Sequence, residues 1–205
     1  MSIVFYYAPM SNASRVHASL AELGVKHETV QYDLQKGEHK NPEFLALNPN
    51  AKVPTVVIDG TPVFESVAIQ LALGERYGVE KGVWPEAGTP ERLKATTWLV
   101  WGQVSLMGTM FKYISNTADY VPAALHSAPQ AEQAMKDIHD LLGILEGHLA
   151  KNAYLAGERF TLADLDLVGC MQWAIYMCKL DMAVYPKTAA WVANVSARPS
   201  MKTEG

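Results

Sequence analysis

The sequence predicts a chain of two parts, a mixed four-stranded sheet with helices on its faces followed by an all-helical region. Strand-like and helix-like apolar runs alternate up to about Tyr77. The stretch 78–90 then holds three glycines and two prolines, which is the composition of a linker. Beyond it the apolar residues follow helical spacing alone. We therefore expect a first domain over residues 1–78, a linker over 79–88 and a helical domain over 89–205.

The first part begins with a strand, a helix and a second strand. Ile3–Tyr7 is a short apolar run, and Ser14–Leu23 repeats its apolar residues at helical spacing up to Gly24, a common helix stop. Residues 27–32 alternate as a strand would. A polar loop then leads to a short helix at Pro42–Leu47, so the order is that of a β-α-β unit.

The segment 48–66 carries the most specific pattern, NPNAKVPTVVIDGTPVFES. Val53-Pro54 opens the apolar strand Thr55–Ile58, and Asp59-Gly60 is a hairpin turn because glycine tolerates positive φ. The return strand ends at Glu65-Ser66, where an apolar helix begins. The proline has no N–H to give to a neighbouring strand, and the helix start offers free N–H groups that favour an anion. This surface suits an extended peptide that bears a carboxylate.

Helical patterns account for the second part. The predicted helices cover residues 91–113, 130–151, 162–177 and 187–196. The third is apolar all round, which is typical of a buried central helix. Thr161 and Asp164 stand at its start in a capping pattern, in which side-chain oxygens accept from free backbone N–H groups. Arg198-Pro199 ends the last helix.

Composition limits the possible functions. The chain has 205 residues, of which 49% are hydrophobic and 19% charged, as in an ordinary globular protein. The net charge is −4 and no basic run occurs, so we expect no nucleic-acid partner. Cys170 and Cys178 fit neither a disulfide within one helix nor a metal motif, and we expect two buried thiols and no metal. Without a basic leader or an apolar run of about twenty residues, we expect a cytoplasmic protein and no membrane partner.

The motifs, taken in order, resemble one family. The chain carries LNPNAKVPTVVIDG, FESVAI, ERFTLADLDL and a closing ARPSMK, after a strand–turn–helix start. Over nearly its whole length it resembles the cytosolic glutathione transferases of bacterial type. The resemblance implies a thioredoxin-like first domain, an all-α second domain, a homodimer, and glutathione as the co-substrate. The class within the family stays open among beta-, nu- and theta- or phi-like members.

The resemblance also implies which residues hold glutathione. Val53 resembles the residue whose backbone pairs with the cysteinyl unit, and Pro54 resembles the cis-proline that keeps that edge open. Glu65 and Ser66 resemble the pair that grips the γ-glutamyl end. The residues placed like those that meet the glycyl carboxylate are Lys52, His39 and Lys40. Taken alone, Glu65-Ser66 is more typical of an ordinary helix N-cap, and GEHK is most often a solvated loop. Their presence together with Val53-Pro54 favours the glutathione contacts.

The thiol of glutathione must be activated, because the thiolate is the nucleophile. A hydroxyl or amide that donates to sulfur at the positive end of a helix lowers the thiol pKa. The turn before the first helix offers Ser11, Asn12 and Ser14, and no cysteine. Counting from Pro9 favours Ser11, as in theta- and phi-like members, whereas counting back from Gly24 matches Asn12 to the asparagine of nu-type members. We place Ser11 before Asn12, and Ser14 is interpreted as a helix N-cap.

A pocket for the second substrate is expected between the domains, facing the thiol. Its candidate residues are Met10, Trp101, Ser105, Met107, Gly108 and Phe111, with Trp173 or Tyr176 on the far wall. A Met and aromatic stripe at helical spacing is also typical of plain core, and we expect half of the set to be core. A pocket lined this way is apolar and adaptable, which suits a small hydrophobic electrophile.

The sequence therefore predicts a glutathione S-transferase that attacks small apolar electrophiles with an activated thiolate. Because the turn lacks a cysteine, thiol–disulfide exchange through an enzyme cysteine is disfavoured. Two alternatives stay open. One is a glutathione-dependent disulfide or hydroperoxide reductase, which Asn12 would favour. The other is a non-catalytic protein that binds apolar ligands on the same fold.

Overall fold

Four strands form one mixed sheet in the computed structural model, which describes residues 2–202. They are β1 (Ile3–Tyr7), β2 (Glu28–Gln31), β3 (Thr55–Ile58) and β4 (Thr61–Phe64). The order across the sheet is β2-β1-β3-β4. β1 runs parallel to β2 and antiparallel to β3, and β3 and β4 form the predicted hairpin. The predicted mixed four-stranded sheet is confirmed.

Three helices accompany the sheet, α1 (Ser14–Leu23), α2 (Pro42–Leu47) and α3 (Ser66–Leu73). α1 ends where predicted, because Gly24 takes the left-handed φ of 61° that closes the helix. The Asn41 side chain accepts from the Phe44 N–H at 2.7 Å and so caps α2. Apolar residues of β1, β3 and all three helices are buried together, among them Phe5, Leu20, Phe44, Val56 and Ile69.

α3 runs on into a π-helical segment, Gly74–Gly78, which makes room for Trp84. A methyl group added to Gly74 would lie 2.7 Å from the Trp84 ring, and one added to Gly78 would lie 2.6 Å from its Cβ. The indole is 2% exposed. Glycine is therefore required here by the close approach of the tryptophan.

The second part is helical, as predicted. Its helices are α4 (Pro90–Trp101), α5 (Gly108–Ser115), α6 (Ala128–Leu149), α7 (Leu162–Cys178) and α8 (Pro186–Ser196). A π-helical segment, Gly102–Met107, joins α4 to α5, so the predicted long helix is continuous but locally wider. Thr161 and Asp164 form the predicted capping box of α7. Within residues 2–202, no helix has both the length and the apolar character to cross a membrane.

The chain divides into two compact units at different places from those expected. The first unit is Met1–Trp84 together with the residues from Arg198 onward, and the second is Pro85–Ala197. Residues 79–84 of the predicted linker therefore belong to the first unit, because Trp84 packs against Gly74 and Gly78 of that unit. Beyond α8, Arg198 and Ser200 both donate to Glu22 of α1. A periodicity pattern could not reveal that contact, since its partners are 176 and 178 positions apart.

Candidate functional site

The strand register brings three predicted site segments to one end of the sheet. Tyr6 of β1 pairs with Thr55 of β3, and Thr55 pairs with Phe64 of β4. The turn 8–13 follows β1, residues 52–54 precede β3, and Glu65-Ser66 follow β4. All three segments therefore leave the sheet at the same end, which we call the Thr55 end. Their juxtaposition follows from the antiparallel pairing of β3 with both neighbours.

Backbone groups at Val53 are open to a partner. The Val53–Pro54 peptide bond is cis, as the family resemblance implies. Val53 is half-buried, and neither its N–H nor its carbonyl is hydrogen bonded within residues 2–202. Pro54 is buried beside it. An extended ligand could pair with this stretch as an added strand.

A buried amide that the sequence reasoning missed shapes this stretch. Asn48 is 2% exposed, and its Nδ2 donates to the Lys52 carbonyl at 2.8 Å and to Thr55 Oγ1 at 3.0 Å. The Thr55 hydroxyl donates to the same carbonyl at 3.2 Å. The bonds from Asn48 and Thr55 fix the backbone on either side of Val53. The only sequence signal was the asparagine that opens NPNAKVP.

The start of α3 presents free N–H groups at the Thr55 end. Ile69 N–H donates to the Glu65 carbonyl at 3.0 Å, so the N–H groups of residues 66–68 precede the first helical bond. No side chain caps them. Glu65 stands in the cap position without a side-chain bond, and Ser66 lies inside the helix, so the interpretation as an ordinary N-cap fails. The three donors and the helix dipole favour an anion.

Glu65 itself adopts an unusual backbone conformation, with φ 66° and ψ 120°. This region costs a residue with a side chain about 1–3 kcal/mol and is found mainly at functional sites. The Glu65 side chain is exposed and Ser66 is 6% exposed. The strain holds the carboxylate and the helix start side by side.

The turn 8–13 holds its own backbone and leaves one candidate donor free. The Ser11 hydroxyl donates to the Ala8 carbonyl at 2.6 Å and accepts from Ala13 N–H at 3.2 Å. The Asn12 carbonyl accepts from Arg15 Nε at 3.3 Å. The Asn12 carboxamide is exposed and makes no hydrogen bond within the described chain. Ser11 is thus committed to the turn, whereas Asn12 is available to a ligand.

Ser14 has a different place from the predicted one. It is the first residue of α1, and its hydroxyl donates to the Ser11 carbonyl at 3.1 Å. Ala13 occupies the N-cap position without a side-chain bond, so the interpretation of Ser14 as N-cap is wrong. The Ser11 hydroxyl instead accepts a hydrogen bond from the Ala13 N–H. Met10, at the tip of the turn, is fully exposed with φ 54°.

The two tyrosines before the turn are held by packing on opposite faces of β1. The Tyr6 ring stacks on Tyr32 at 6.1 Å and leans on Phe44 at 5.6 Å. Burial and the neighbouring Tyr32 raise the pKa of Tyr6. Tyr7 donates its hydroxyl proton to Gln31 Oε1 at 2.9 Å. The Tyr7 proton is therefore committed to Gln31, and the raised pKa keeps the Tyr6 phenol protonated at neutral pH.

His39 and Lys40 lie in a short 3-10 turn, Glu38–Lys40, between β2 and α2. Because Tyr7 pairs with Gln31, the chain leaves β2 at the Thr55 end on its way to this turn. Lys40 is exposed, as is Lys52. The buried His39 Nδ1 has no hydrogen-bond partner within the described residues. A glycyl carboxylate contact at these residues stays a prediction.

The predicted second-substrate residues do not share one face of the helical unit. Ser105 and Gly108 line an open groove of about 460 Å³ toward α6, where Asp137 and Asp140 form part of the opposite wall. Phe111 does not line this groove. Its ring packs on the ring of Trp173 of α7, with 5.5 Å between the ring centroids.

Two further members of that set pack within the helical unit. Met107 is 1% exposed and belongs to the core, which corrects its assignment to a pocket wall. Trp101 is half-buried against Trp98 at 4.9 Å. The described part of the chain thus supports the expectation that such a stripe is partly core.

Both cysteines are buried on α7, and neither forms a disulfide within residues 2–202. Burial raises the pKa of Cys178 to about 11, which makes this thiol a poor nucleophile at neutral pH. Among residues 2–202, no group of three His, Cys, Asp or Glu side chains is arranged to hold a metal ion.

Two family models match the chain. One is the Glutathione S-transferase, N-terminal domain, over residues 1–72, and the other is the Glutathione S-transferase, C-terminal domain, over residues 111–199. The matched ranges include every predicted glutathione contact. The thioredoxin-like and all-α fold classes are those of the matched domains.

Related proteins of known sequence or structure indicate the same family as the two matched models. Disulfide-bond oxidoreductase YfcG of Escherichia coli K12 is 31% identical, covering 97% of this chain and 92% of the relative. Glutathione S-transferase 3 of Zea mays is 33% identical, covering 96% and 90%. A Phanerochaete chrysosporium glutathione transferase solved with oxidized glutathione has a TM-score of 0.87 and 27% identity, covering 98% and 93%. A sphingomonad glutathione S-transferase complexed with glutathione has a TM-score of 0.81 and 25% identity, covering 97% and 94%.

The family models and these relatives together cover nearly the whole chain. This chain belongs to the glutathione S-transferase family.

Proposed function

We propose that this protein binds glutathione at the Thr55 end of its sheet and transfers the activated tripeptide to small apolar electrophiles. The observation that carries the proposal is the meeting of the open backbone at Val53, the uncapped start of α3 and the turn with Asn12. Solved relatives hold glutathione or its oxidized form. We further propose that the protein acts as a cytoplasmic homodimer.

Each part of the tripeptide has a complementary group. The cysteinyl backbone pairs with Val53, beside Pro54, which has no N–H to obstruct it. The γ-glutamyl carboxylate accepts from Ser66 and the neighbouring N–H groups, and Glu65 faces the γ-glutamyl ammonium. The residues proposed to meet the glycyl carboxylate are His39, Lys40 and Lys52.

Proton counting favours Asn12 over Ser11 as the sulfur donor. A hydroxyl carries one proton, and that of Ser11 is given to the Ala8 carbonyl at 2.6 Å. Ala8 is 4% exposed, so releasing its carbonyl costs about 1–3 kcal/mol. That cost rivals the stabilisation of the thiolate by one hydrogen bond. The Asn12 amide has both protons free, and we propose that it polarises the sulfur while Ser11 shapes the turn.

The electrophile is expected to meet apolar side chains near the sulfur. Met10 is exposed beside Asn12 and is proposed as one of them. The members of the helical set that stay available are Trp101, Ser105, Gly108 and Phe111. An apolar and adaptable lining predicts broad acceptance of small hydrophobic compounds and weak discrimination among them.

A second candidate activity is glutathione-dependent reduction of disulfides or hydroperoxides. The 31% identical relative is named a disulfide-bond oxidoreductase, and the available Asn12 amide would suit a glutathione thiolate in either reaction. The same thiolate attacks a carbon in transfer and a sulfur or oxygen in reduction. Turnover of an aryl halide against that of a glutathione mixed disulfide decides between them. A protein that turned over neither would be a binding member of the fold.

The test measures glutathione affinity by calorimetry and the bound thiol pKa by thiolate absorbance. We expect Asn12→Ala to raise the bound thiol pKa by about 1–2 units, because a hydrogen bond to a charged group contributes about 1.5–3 kcal/mol. Ser11→Ala should raise it less and destabilise the turn. The matched controls Asn194→Ala and Ser115→Ala, both exposed on helices of the second unit, should leave the pKa unchanged.

Two results would overturn the scheme. If the wild-type protein did not bind glutathione at millimolar concentration, the proposed function would be wrong. If Asn12→Ala left the bound thiol pKa at the wild-type value, the donor assignment would be wrong and binding would stand.

A further inference from the structure

Arg198 and Ser200 are hydrogen bonded to Glu22 in the last turn of α1. Arg198 Nε donates to Glu22 Oε2 at 3.1 Å, and Arg198 Nη2 donates to Glu22 Oε1. The Ser200 hydroxyl donates to Glu22 Oε2 at 2.6 Å. One carboxylate thus accepts three bonds from residues 198–202, which comprise Arg198 and the 3-10 segment Pro199–Lys202 and which we call the C-terminal strap. Bidentate pairing with an arginine fixes both distance and orientation.

This contact is partly shielded from water. The Glu22 side chain is 12% exposed, the Arg198 side chain 32%, and Ser200 is 6% exposed. Burial alone would raise the pKa of Glu22, but the bonds from Arg198 and Ser200 and the arginine charge hold that pKa below its ordinary value. The pair is therefore charged at neutral pH. A shielded, bidentate pair of this kind is stronger than an exposed salt bridge.

Two contacts from neighbouring elements reach the first half of α1. From α3, Gln70 Nε2 donates to the Arg15 carbonyl at 3.3 Å. From β1, the Phe5 ring lies 6.0 Å from that of His17. These contacts hold the first half of the helix, whereas Glu22 is in its last turn. The strap thus adds a polar contact at the carboxyl-terminal end of α1.

We propose that Arg198 and Ser200 are positioning residues, which keep α1 seated so that the turn with Asn12 stays competent to receive glutathione. The inference rests on the proposed function. In this proposal the strap acts on the fraction of molecules in which α1 is correctly seated. The apparent dissociation constant is the intrinsic one divided by that fraction.

Arg198→Ala tests the proposal. We expect the dissociation constant and KM for glutathione to rise about three- to ten-fold, with kcat and the bound thiol pKa unchanged, because bound molecules are all correctly seated. Arg198→Lys keeps the charge but loses the bidentate geometry and should recover part of the affinity. Glu22→Gln should resemble Arg198→Ala, and the double variant should be little worse than either. Arg159→Ala, an exposed arginine of the second unit, is the matched control.

Hydrogen exchange gives a readout that needs no glutathione. Arg198→Ala should speed exchange of α1 amides while β3 and β4 amides keep their wild-type protection. Failure of wild-type protein to bind glutathione would overturn the proposed function, and exchange would still decide on the strap. The strap proposal is overturned if Arg198→Ala binds glutathione as tightly as Arg159→Ala, or if its α1 amides exchange at the wild-type rate. Should Arg198→Ala not fold, Ser200→Ala removes one of the three donors, and both readouts should shift in the same direction by less.

Discussion

At the scale of single residues, one carboxylate organises the helical unit. Asp164 is fully buried and accepts from the Leu155 N–H at 2.8 Å, the Thr161 N–H at 2.8 Å, the Thr161 hydroxyl at 2.9 Å and Trp191 Nε1 at 3.0 Å. The sequence predicts the bond from the Thr161 N–H, which belongs to the capping box. The bonds from Leu155 and Trp191 join the preceding loop and α8 to the same side chain.

Asp164→Ala should therefore cost more than the loss of a helix cap. The substitution leaves buried donors at Leu155 and Trp191 unsatisfied, and we expect the free energy of unfolding to fall by about 3 kcal/mol. Urea unfolding measures this value. Asp119→Ala, at an exposed loop position, should change it by less than about 0.5 kcal/mol. Equal effects of the two substitutions would contradict the role given to Asp164.

A single histidine makes the first unit sensitive to acid. Burial and the nearby His27 lower the pKa of His17 from its ordinary 6.5. In the unfolded chain His17 returns to that ordinary value, so below pH 6.5 the unfolded state binds more protons. The stability contributed by neutral His17 is present above pH 6.5 and is lost as the pH falls through the folded-state pKa.

His17→Gln should flatten this pH dependence because glutamine does not titrate. We expect the wild-type free energy of unfolding to fall more steeply than that of the variant as the pH decreases below 6.5. Unfolding in denaturant at several pH values measures both curves. Parallel curves across this range would show that His17 does not carry the acid sensitivity.

At the scale of elements, glycines with different surroundings should respond oppositely to the same change. Gly74 lies against Trp84, where an added Cβ would be 2.7 Å from the ring, whereas Gly143 on α6 has open space. Helix propensity favours alanine at both positions by up to about 1 kcal/mol. Packing opposes an alanine at Gly74, where the Trp84 ring is close, but not at Gly143.

We expect Gly74→Ala to lower the free energy of unfolding by about 1–3 kcal/mol, because the tryptophan must move. Gly143→Ala should raise it by about 0.5–1 kcal/mol through helix propensity alone. Thermal or urea unfolding of the two variants gives the comparison. A stabilising Gly74→Ala would mean that the Trp84 ring gives way at little cost.

At the scale of the whole molecule, glutathione should stabilise the protein, because a ligand that binds only the folded state shifts the unfolding equilibrium. At one hundred times the dissociation constant the gain is about 2.7 kcal/mol, which for a chain of this size raises Tm by about 5–10 °C. Ser66→Ala should reduce the shift and Ser115→Ala should not. Differential scanning fluorimetry with and without glutathione measures it, and an unchanged Tm would contradict binding at the Thr55 end.

Local signals in the sequence determined most of the elements. The Asp59-Gly60 turn, the Gly24 stop and the Thr161–Asp164 capping box act within a few residues, so each could be placed from the sequence. The same is true of the hairpin that bears Val53-Pro54, and of the resemblance that the order of motifs carries. The segments of the candidate site could be predicted for this reason.

Only the tertiary structure decided which groups in those segments are free to act. The sequence placed Ser11 before Asn12, but the bond from Ser11 to Ala8 commits its proton to the turn and leaves the Asn12 amide available. Asn48 and the C-terminal strap act through partners brought together by folding, and no spacing pattern records such contacts. Sequence patterns report local conformation, whereas the availability of a proton, an N–H or a buried carboxylate depends on every group packed around it.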